Sequence, residues 1–151
     1  AEGWVLKKSV GSRNLEEVLV AVGSNTNLAT ALGNADITGV YFDSATYSQG
    51  DAGKVIVVYN ENVDVTNGAT LTVGATGGAD VTATAAAHDG KNLIEFAFTV
   101  PSRTHTLSIG AQTISGTIVD DGTSTASDKV FVVGDRLGAT GTGTYANISV
   151  A

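Results

Sequence analysis

The sequence predicts an all-β fold in which short antiparallel strands pack as a two-sheet sandwich. Three observations predict it. Apolar and polar residues alternate with a period of two in short runs, Gly, Asn, Asp and Ser separate the runs, and helical periodicity is nearly absent. About ten such runs occur, at spacings typical of sandwiches and barrels. A chain of 151 residues predicts one domain with short extensions.

The clearest strand is predicted for residues 93–100. Ile94, Phe96, Phe98 and Val100 share one face of this strand, because successive side chains of a strand point to opposite faces. Pro101 follows and ends the pairing, since proline has no N–H to donate.

A second type of strand is predicted for residues 54–59. Val55, Ile56, Val57 and Val58 make the strand apolar on both faces, which is typical of a central strand covered on both sides.

Residues 26–32 could form a short helix, with Asn25 as its N-terminal cap and Gly33 at its C-terminal end, and a loop is equally plausible. Further strands are predicted for residues 16–22, 37–42, 70–73, 81–85, 104–109, 113–118, 129–133 and 144–150.

Composition excludes several classes of protein. The net charge is −7, from 8 basic and 15 acidic residues, which argues against a protein that binds nucleic acid through its backbone. No apolar run approaches the roughly 20 residues of a membrane span, and there is no cysteine for a disulfide or thiolate site. Lys and Glu are scarce, as at the centres of interfaces, although an ordinary Thr-rich β-surface has the same composition.

Catalysis is not expected. The two histidines are His88, which lies in a predicted turn before Asp89, and His105, which alternates with Leu107 and is expected to be partly buried in a strand. No nucleophile elbow, phosphate loop, zinc-binding helix or dinucleotide fingerprint is present. The chain is therefore predicted to be non-enzymatic and to need no cofactor.

Five short motifs over residues 37–133 are similar to those of the bacterial immunoglobulin-like repeat of surface adhesins. Residues 47–51 (YSQGD) resemble that family's Y-x-x-G-D turn, and residues 55–65 (VIVVYNENVDV) resemble its I-x-V-x-F-S-E-x-V-x-V strand pair. Residues 69–73, 93–100 and 114–120 resemble its remaining strands in order. The resemblance implies an immunoglobulin-like β-sandwich, used as a spacer or binding module.

The domain organisation follows from this resemblance. Residues 37–135 are expected to form the immunoglobulin-like sandwich, between an N-terminal arm over residues 1–36 and a C-terminal extension over residues 136–151 that ends in a strand. Adhesin repeats join their neighbours directly and carry no such flanks, so the chain is expected to be a complete protein with an arm at each end.

This plan resembles the decoration (cement) proteins of tailed bacterial viruses. The resemblance implies a virion structural protein on the capsid surface, which binds the major capsid protein and copies of itself as a homo-oligomer, without nucleic acid or membrane. The alternative is an immunoglobulin-like module of a bacterial surface adhesin or fibre, located outside the cell.

The N-terminal arm contains the predicted interface. Trp4, the single tryptophan, lies beside Val5 and Leu6, and tryptophan is a frequent interface anchor. Val18 and Val20 belong to a predicted strand that could extend a neighbour's sheet or begin the chain's own sheet. Packing of Trp4 against its own domain remains the alternative.

A calcium site is the one metal site that the sequence suggests. Asp120 and Asp121 precede a Gly, Ser and Thr loop that leads to Asp128, and calcium prefers clustered carboxylate and carbonyl oxygens. A solvated acidic turn is the alternative, because the spacing does not match an EF-hand loop.

If this loop binds calcium, calorimetric titration should release or absorb heat and the melting temperature should rise, because a ligand that binds only the folded state stabilises it. A titration with neither heat nor a melting shift would contradict the calcium hypothesis.

Overall fold

The structure, a computed structural model, describes residues 2–10, 13–22, 34–66, 68–131 and 147–151, and gives the backbone alone for residues 2–10, 13–22 and 147. The chain divides into two compact units, Ala1–Gly33 and Asn34–Ala151. Within the described ranges all regular structure is β-strand, which confirms the all-β prediction, and no helix there could span a membrane. The predicted helix over residues 26–32 lies outside the described residues.

The first unit is an antiparallel hairpin. Strand β1 (Glu2–Val10) pairs with β2 (Arg13–Val22) from Glu2 opposite Val22 to Val10 opposite Arg13. The register shifts between Trp4 and Val5, where β2 carries one extra residue as a β-bulge. The predicted strand over residues 16–22 is therefore confirmed as part of β2, and it pairs with β1. Strand β1 was not predicted, because Glu2, Lys7 and Lys8 interrupt its apolar pattern.

The second unit, called the body below, is built from ten strands of 2 to 14 residues among its described residues. Its main antiparallel sheet is strongly curled as a half-barrel, and β9 and β11 form a small second sheet. The strands are β3 (Ile37–Phe42), β4 (Ala52–Val65), β5 (Thr70–Thr76), β6 (Val81–Ala85), β7 (His88–Thr99), β8 (Thr106–Ser108), β9 (Gln112–Thr113), β10 (Ile118–Asp120), β11 (Val130–Phe131) and β12 (Asn147–Ser149).

The curl of the main sheet accompanies changes of partner along its long strands. The order is β10-β4-β7-β6-β5-β8-β12, and β3 also pairs with β4. On one edge β4 pairs first with β3 and then with β10, while its other edge pairs with β7. Strand β5 pairs with β6 through residues 70–73 and with β8 through residues 74–76. Because a strand that changes partner belongs to two parts of the sheet, such changes allow the sheet to curl around the core.

The core lies inside the curled sheet. Val55 of β4 is opposite Phe96 of β7, Val57 is opposite Ile94, and all four are 0% exposed. The predictions of a double-sided apolar strand over residues 54–59 and of an alternating strand over residues 93–100 are confirmed, since Ile56 on the other face of β4 is also buried.

Three aromatic rings close one end of this core. Phe42, Tyr47 and Phe98 meet edge to face, with ring centroids 5.9–6.2 Å apart. Such pairs contribute about 0.5–1.5 kcal/mol each beyond the burial of their area. Gly53 lies directly against two of them, because a Cβ atom at this position would sit 2.7 Å from Phe98 Cζ and 2.9 Å from Tyr47 Cε1.

Two predicted strands differ from the structure. The strand over residues 113–118 is wrong, because Gly116 adopts a φ of 95°, a left-handed conformation that separates β9 from β10. The strand over residues 104–109 is confined to β8, and His105 is exposed in the turn before it. The expected partial burial of His105 is therefore wrong.

The two C-terminal strands are shorter than predicted among the described residues. Of the strand predicted over residues 129–133, Val130 and Phe131 form β11, and residues 132–133 lie outside the described part. Of the strand predicted over residues 144–150, Asn147–Ser149 forms β12, and residues 144–146 are likewise not described.

Substitution of Gly53 by Ala should destabilise the body by about 1–3 kcal/mol, because the added methyl group overlaps the Tyr47 and Phe98 rings. Gly110→Ala is the matched control, since a Cβ there meets no atom within 4 Å. Urea denaturation of both variants measures the difference. Equal stability of the two variants would contradict the tight packing of the aromatic rings.

Candidate functional site

The predicted interface residues come together in the hairpin. Trp4 is the register partner of Val20, and Val5 is the partner of Val18. Leu6 lies opposite Glu17. Four of the five residues selected from the sequence are therefore cross-strand neighbours beside the β-bulge. The side chain of Trp4 lies outside the described part of the structure, so both alternatives for its packing stay predictions.

The acidic turn that was predicted as a calcium site follows β10. Asp120 Oδ1 accepts hydrogen bonds from the Ala35 backbone N–H at 2.9 Å and from Ser127 Oγ at 2.8 Å. These bonds tie the first residues of the body to the loop after β10. Among the described residues no three His, Cys, Asp or Glu side chains form a group that could hold a metal ion. The calcium site at Asp120 and Asp121 stays a prediction, and the bonds at Asp120 give this residue a structural role.

Asp64 has a related structural role that the sequence analysis missed. Its Oδ1 accepts a hydrogen bond from the Gly90 N–H at 2.8 Å, and its Oδ2 accepts one from the Gly122 N–H at 3.2 Å. One carboxylate therefore connects β4 to β7 and to the turn after β10. The sequence signal was the Asp in the residues 55–65 motif, but its two glycine partners are 26 and 58 residues away along the chain.

The motif over residues 47–51 also has a structural explanation. The Tyr47 hydroxyl donates a hydrogen bond to Asp43 Oδ1, and Asp51 Oδ2 accepts a hydrogen bond from the Ser48 N–H at 2.8 Å. Burial raises the pKa of Tyr47 well above its usual range, and the hydrogen bond and charge of Asp43 raise it further. Tyr47 therefore stays neutral at physiological pH and holds the turn.

His88 begins β7 and has an unusual environment. Both of its ring nitrogens are shielded from solvent and have no hydrogen-bond partner among the described residues. Burial lowers the pKa of His88 below its usual value, the charge of Lys91 lowers it further, and the carboxylates of Asp64 and Asp89 act in the opposite direction. His105 is exposed before β8, and its side chain makes no hydrogen bond to a nucleophile among the described residues.

One cleft in the body was not predicted from the sequence. It has a volume of about 290 Å³ and opens between β5, β8 and the turn before β9. Its lining residues come from distant parts of the chain, and no local motif marks them. They are Thr72, Gly74, Asp80, Ser108, Gly110, Ala111 and Gln112.

Gln112 forms the wall of this cleft and pairs with the backbone of β5. Its Oε1 accepts the Thr72 N–H at 2.7 Å, while its Nε2 donates to Thr72 O at 2.8 Å and to Gly110 O at 3.3 Å. The side-chain amide thereby takes the place of a neighbouring strand. On the other side of the cleft, Asp80 Oδ1 accepts the Ala75 N–H at 2.9 Å.

Comparison of the chain with protein-family models, with curated proteins and with solved structures gave no match.

His88 should make the body less stable as the pH falls. Because folding lowers the pKa of His88, the unfolded chain binds more protons than the folded chain as the pH falls. Protonation of His88 therefore leaves the free energy of unfolding unchanged above about pH 6.5 and decreases it below that pH. His88→Phe should flatten the decline in the free energy of unfolding measured by urea denaturation at successive pH values. Asp89→Asn should steepen the decline, because it removes a charge that raises the pKa of His88. An unchanged slope in His88→Phe would contradict the prediction.

Proposed function

We propose that this chain is a non-enzymatic structural protein of a virus particle, a decoration or cement protein on the capsid surface. It binds the major capsid protein and further copies of itself through the hairpin and through strand contacts of the body. The observation that carries the proposal is the N-terminal hairpin, a compact unit of its own in which Trp4 and Val20, and Val5 and Val18, are cross-strand partners.

The physical argument concerns the stability of such a hairpin. A two-stranded hairpin alone in water is marginally stable at best, whereas three or more strands or packing against another surface stabilise it. Cross-strand pairs of aromatic and β-branched residues contribute about 0.2–1 kcal/mol each, too little to order a hairpin of this length. A partner surface that covers Trp4 and its neighbours supplies the missing burial, and tryptophan is a frequent anchor of such interfaces.

The composition supports a role in protein assembly. A net charge of −7 disfavours binding to nucleic acid, and only 15% of the residues are charged. The many copies on a particle make individually weak contacts effective, because binding at one site raises the effective concentration at the next. The mechanism is passive: the protein bridges neighbouring subunits and reinforces the shell.

The second candidate is an immunoglobulin-like module of a bacterial adhesin or fibre. The body is then a variant of the immunoglobulin-like sandwich. The observation that favours it is the order of the five motifs, two of which have defined structural roles: the turn at Tyr47–Asp51 and the left-handed Gly116. In this case the chain is a rigid spacer, and calcium would stiffen it.

Deletion of residues 1–33 should abolish self-association and binding to capsids and leave the body folded. The body has a hydrophobic core of its own, which includes Val55, Phe96 and Phe131, so its melting temperature should change little. Light scattering measures association over a range of concentrations, and co-sedimentation with undecorated capsids measures docking. Deletion of residues 1–33 removes the whole hairpin, whereas deletion of residues 1–15 would leave most of β2 without its partner strand β1.

Ser9→Ala with Asn14→Ala is the matched control, because these residues pair in the same hairpin but lie outside the predicted interface. The control should associate like the unaltered chain, while Trp4→Ser with Val20→Ser should not. A deletion variant that still docks would contradict the proposed role of the hairpin. A monomer that calcium stiffens, with no affinity for capsids, would favour the adhesin alternative.

A further inference from the structure

We propose that the cleft between β5 and β8 binds a lysine or arginine side chain of a partner protein. This inference rests on the proposed function only in that the cation belongs to a protein partner. Four features of the cleft support it: the polarity of its lining, the free acceptors that the lining retains, the exposed charge of Asp80, and its small volume.

The lining selects a polar occupant. Ala111 is its one apolar side chain, and none of the seven lining residues is aromatic. Hydrophobic ligands require apolar walls, and sugars are commonly held by stacking on aromatic rings. Hydrogen bonds and charge therefore decide what this cleft can hold.

The hydrogen-bonding capacity that remains on the side chains of the cleft is mainly that of acceptors. Both Nε2 hydrogens of Gln112 are engaged, by Thr72 O at 2.8 Å and Gly110 O at 3.3 Å, so its amide has no donor left. Its Oε1 accepts one bond, from the Thr72 N–H, and retains a second lone pair. Ser108 contributes a hydroxyl, which can donate or accept. An occupant rich in N–H donors and without acceptors complements this arrangement.

Asp80 adds a negative charge. Its Oδ1 accepts one hydrogen bond from the Ala75 N–H, whereas a carboxylate has about four acceptor sites. Asp80 is exposed, and no lysine or arginine is among the residues that line the cleft. Lys54 forms an ion pair with Glu95, and neither residue lines the cleft. The carboxylate of Asp80 is thus available to a cation from outside.

The volume of the cleft and the charge of the chain are consistent with one cationic side chain. About 290 Å³ equals the volume of about ten water molecules, which suits one long side chain rather than an oligosaccharide. A net charge of −7 attracts basic surfaces over a longer range. An ammonium group with three donors, or a guanidinium group with five, offers enough donors for the oxygens of Asp80, Ser108 and Gln112.

The test uses the full chain and three small probes: Nα-acetyl-lysine N-methylamide, the arginine analogue, and the neutral norleucine analogue. NMR titration of backbone amides at low salt should shift the signals of Gly74, Gly110 and Gln112 with the two cationic probes and not with norleucine. Asp80→Asn should weaken this binding by about tenfold, because it removes the charge-assisted bond. The asparagine Oδ1 can still accept the Ala75 N–H, so the melting temperature should be preserved.

Asp36→Asn is the matched control, since Asp36 is exposed, carries the same charge and does not line the cleft. It should bind the cationic probes like the unaltered chain, and Ser108→Ala should weaken them by about threefold through loss of one acceptor. Equal binding of norleucine, signal shifts spread over all acidic residues, or unchanged binding by Asp80→Asn would overturn the proposal. Binding of methyl glucoside at the same amides, insensitive to Asp80→Asn, would replace it with a carbohydrate site.

The outcome is separable from the proposed function. The probe titration requires no capsid, so failure of the cleft to bind cations leaves docking through the hairpin intact. Conversely, cation binding in the cleft of a chain that does not associate with capsids would support this inference and contradict the virion role.

Discussion

The body depends on the pairing of β4 along both of its edges. This strand of 14 residues contacts β3 and β10 on one side and β7 on the other, and it places Val55 and Val57 against Phe96 and Ile94. Its other face is buried at Ile56, which lies in register between Tyr41 and Glu95. Because burial and pairing coincide in one strand, a shift of one residue would turn the valines away from the core and affect every neighbouring strand.

The sequence predicted what depends on local pattern and missed what depends on distant contacts. Alternation identified β7, and continuous apolar character identified the central strand, because burial on one or two faces leaves these patterns. The left-handed Gly116 interrupts a pattern that otherwise looks like a strand, so residues 113–118 were misassigned. The cleft was missed because Asp80, Ser108 and Gln112 meet only after the sheet curls. The predicted interface residues could be selected from the sequence, but their pairing required the register of the hairpin.

Clustered acidic residues in the sequence do not by themselves indicate a binding role. Asp120, which the sequence suggests as a calcium ligand, accepts hydrogen bonds from a backbone N–H and a serine hydroxyl, and Asp64 accepts them from two glycine N–H groups of the same chain. These carboxylates fasten loops at one end of the sheet. Asp80, which belongs to none of the five motifs, accepts one backbone bond and lines a cleft. Asp64 and Asp120 therefore stabilise loops of the body, whereas Asp80 can face a partner.

The pairing of the Gln112 amide with Thr72 has a consequence for colloidal behaviour. Along the edge of β5 that faces away from β6, Thr70 bonds to Ser115, Thr72 bonds to Gln112, and residues 74–76 pair with β8. Gln112 thus occupies a position through which a foreign strand could otherwise begin to pair, and unpaired strand edges are templates for aggregation. A glutamate at this position would have no N–H to donate to Thr72 O and would expose the edge again, so resistance to edge-to-edge association depends on the amide of this one side chain.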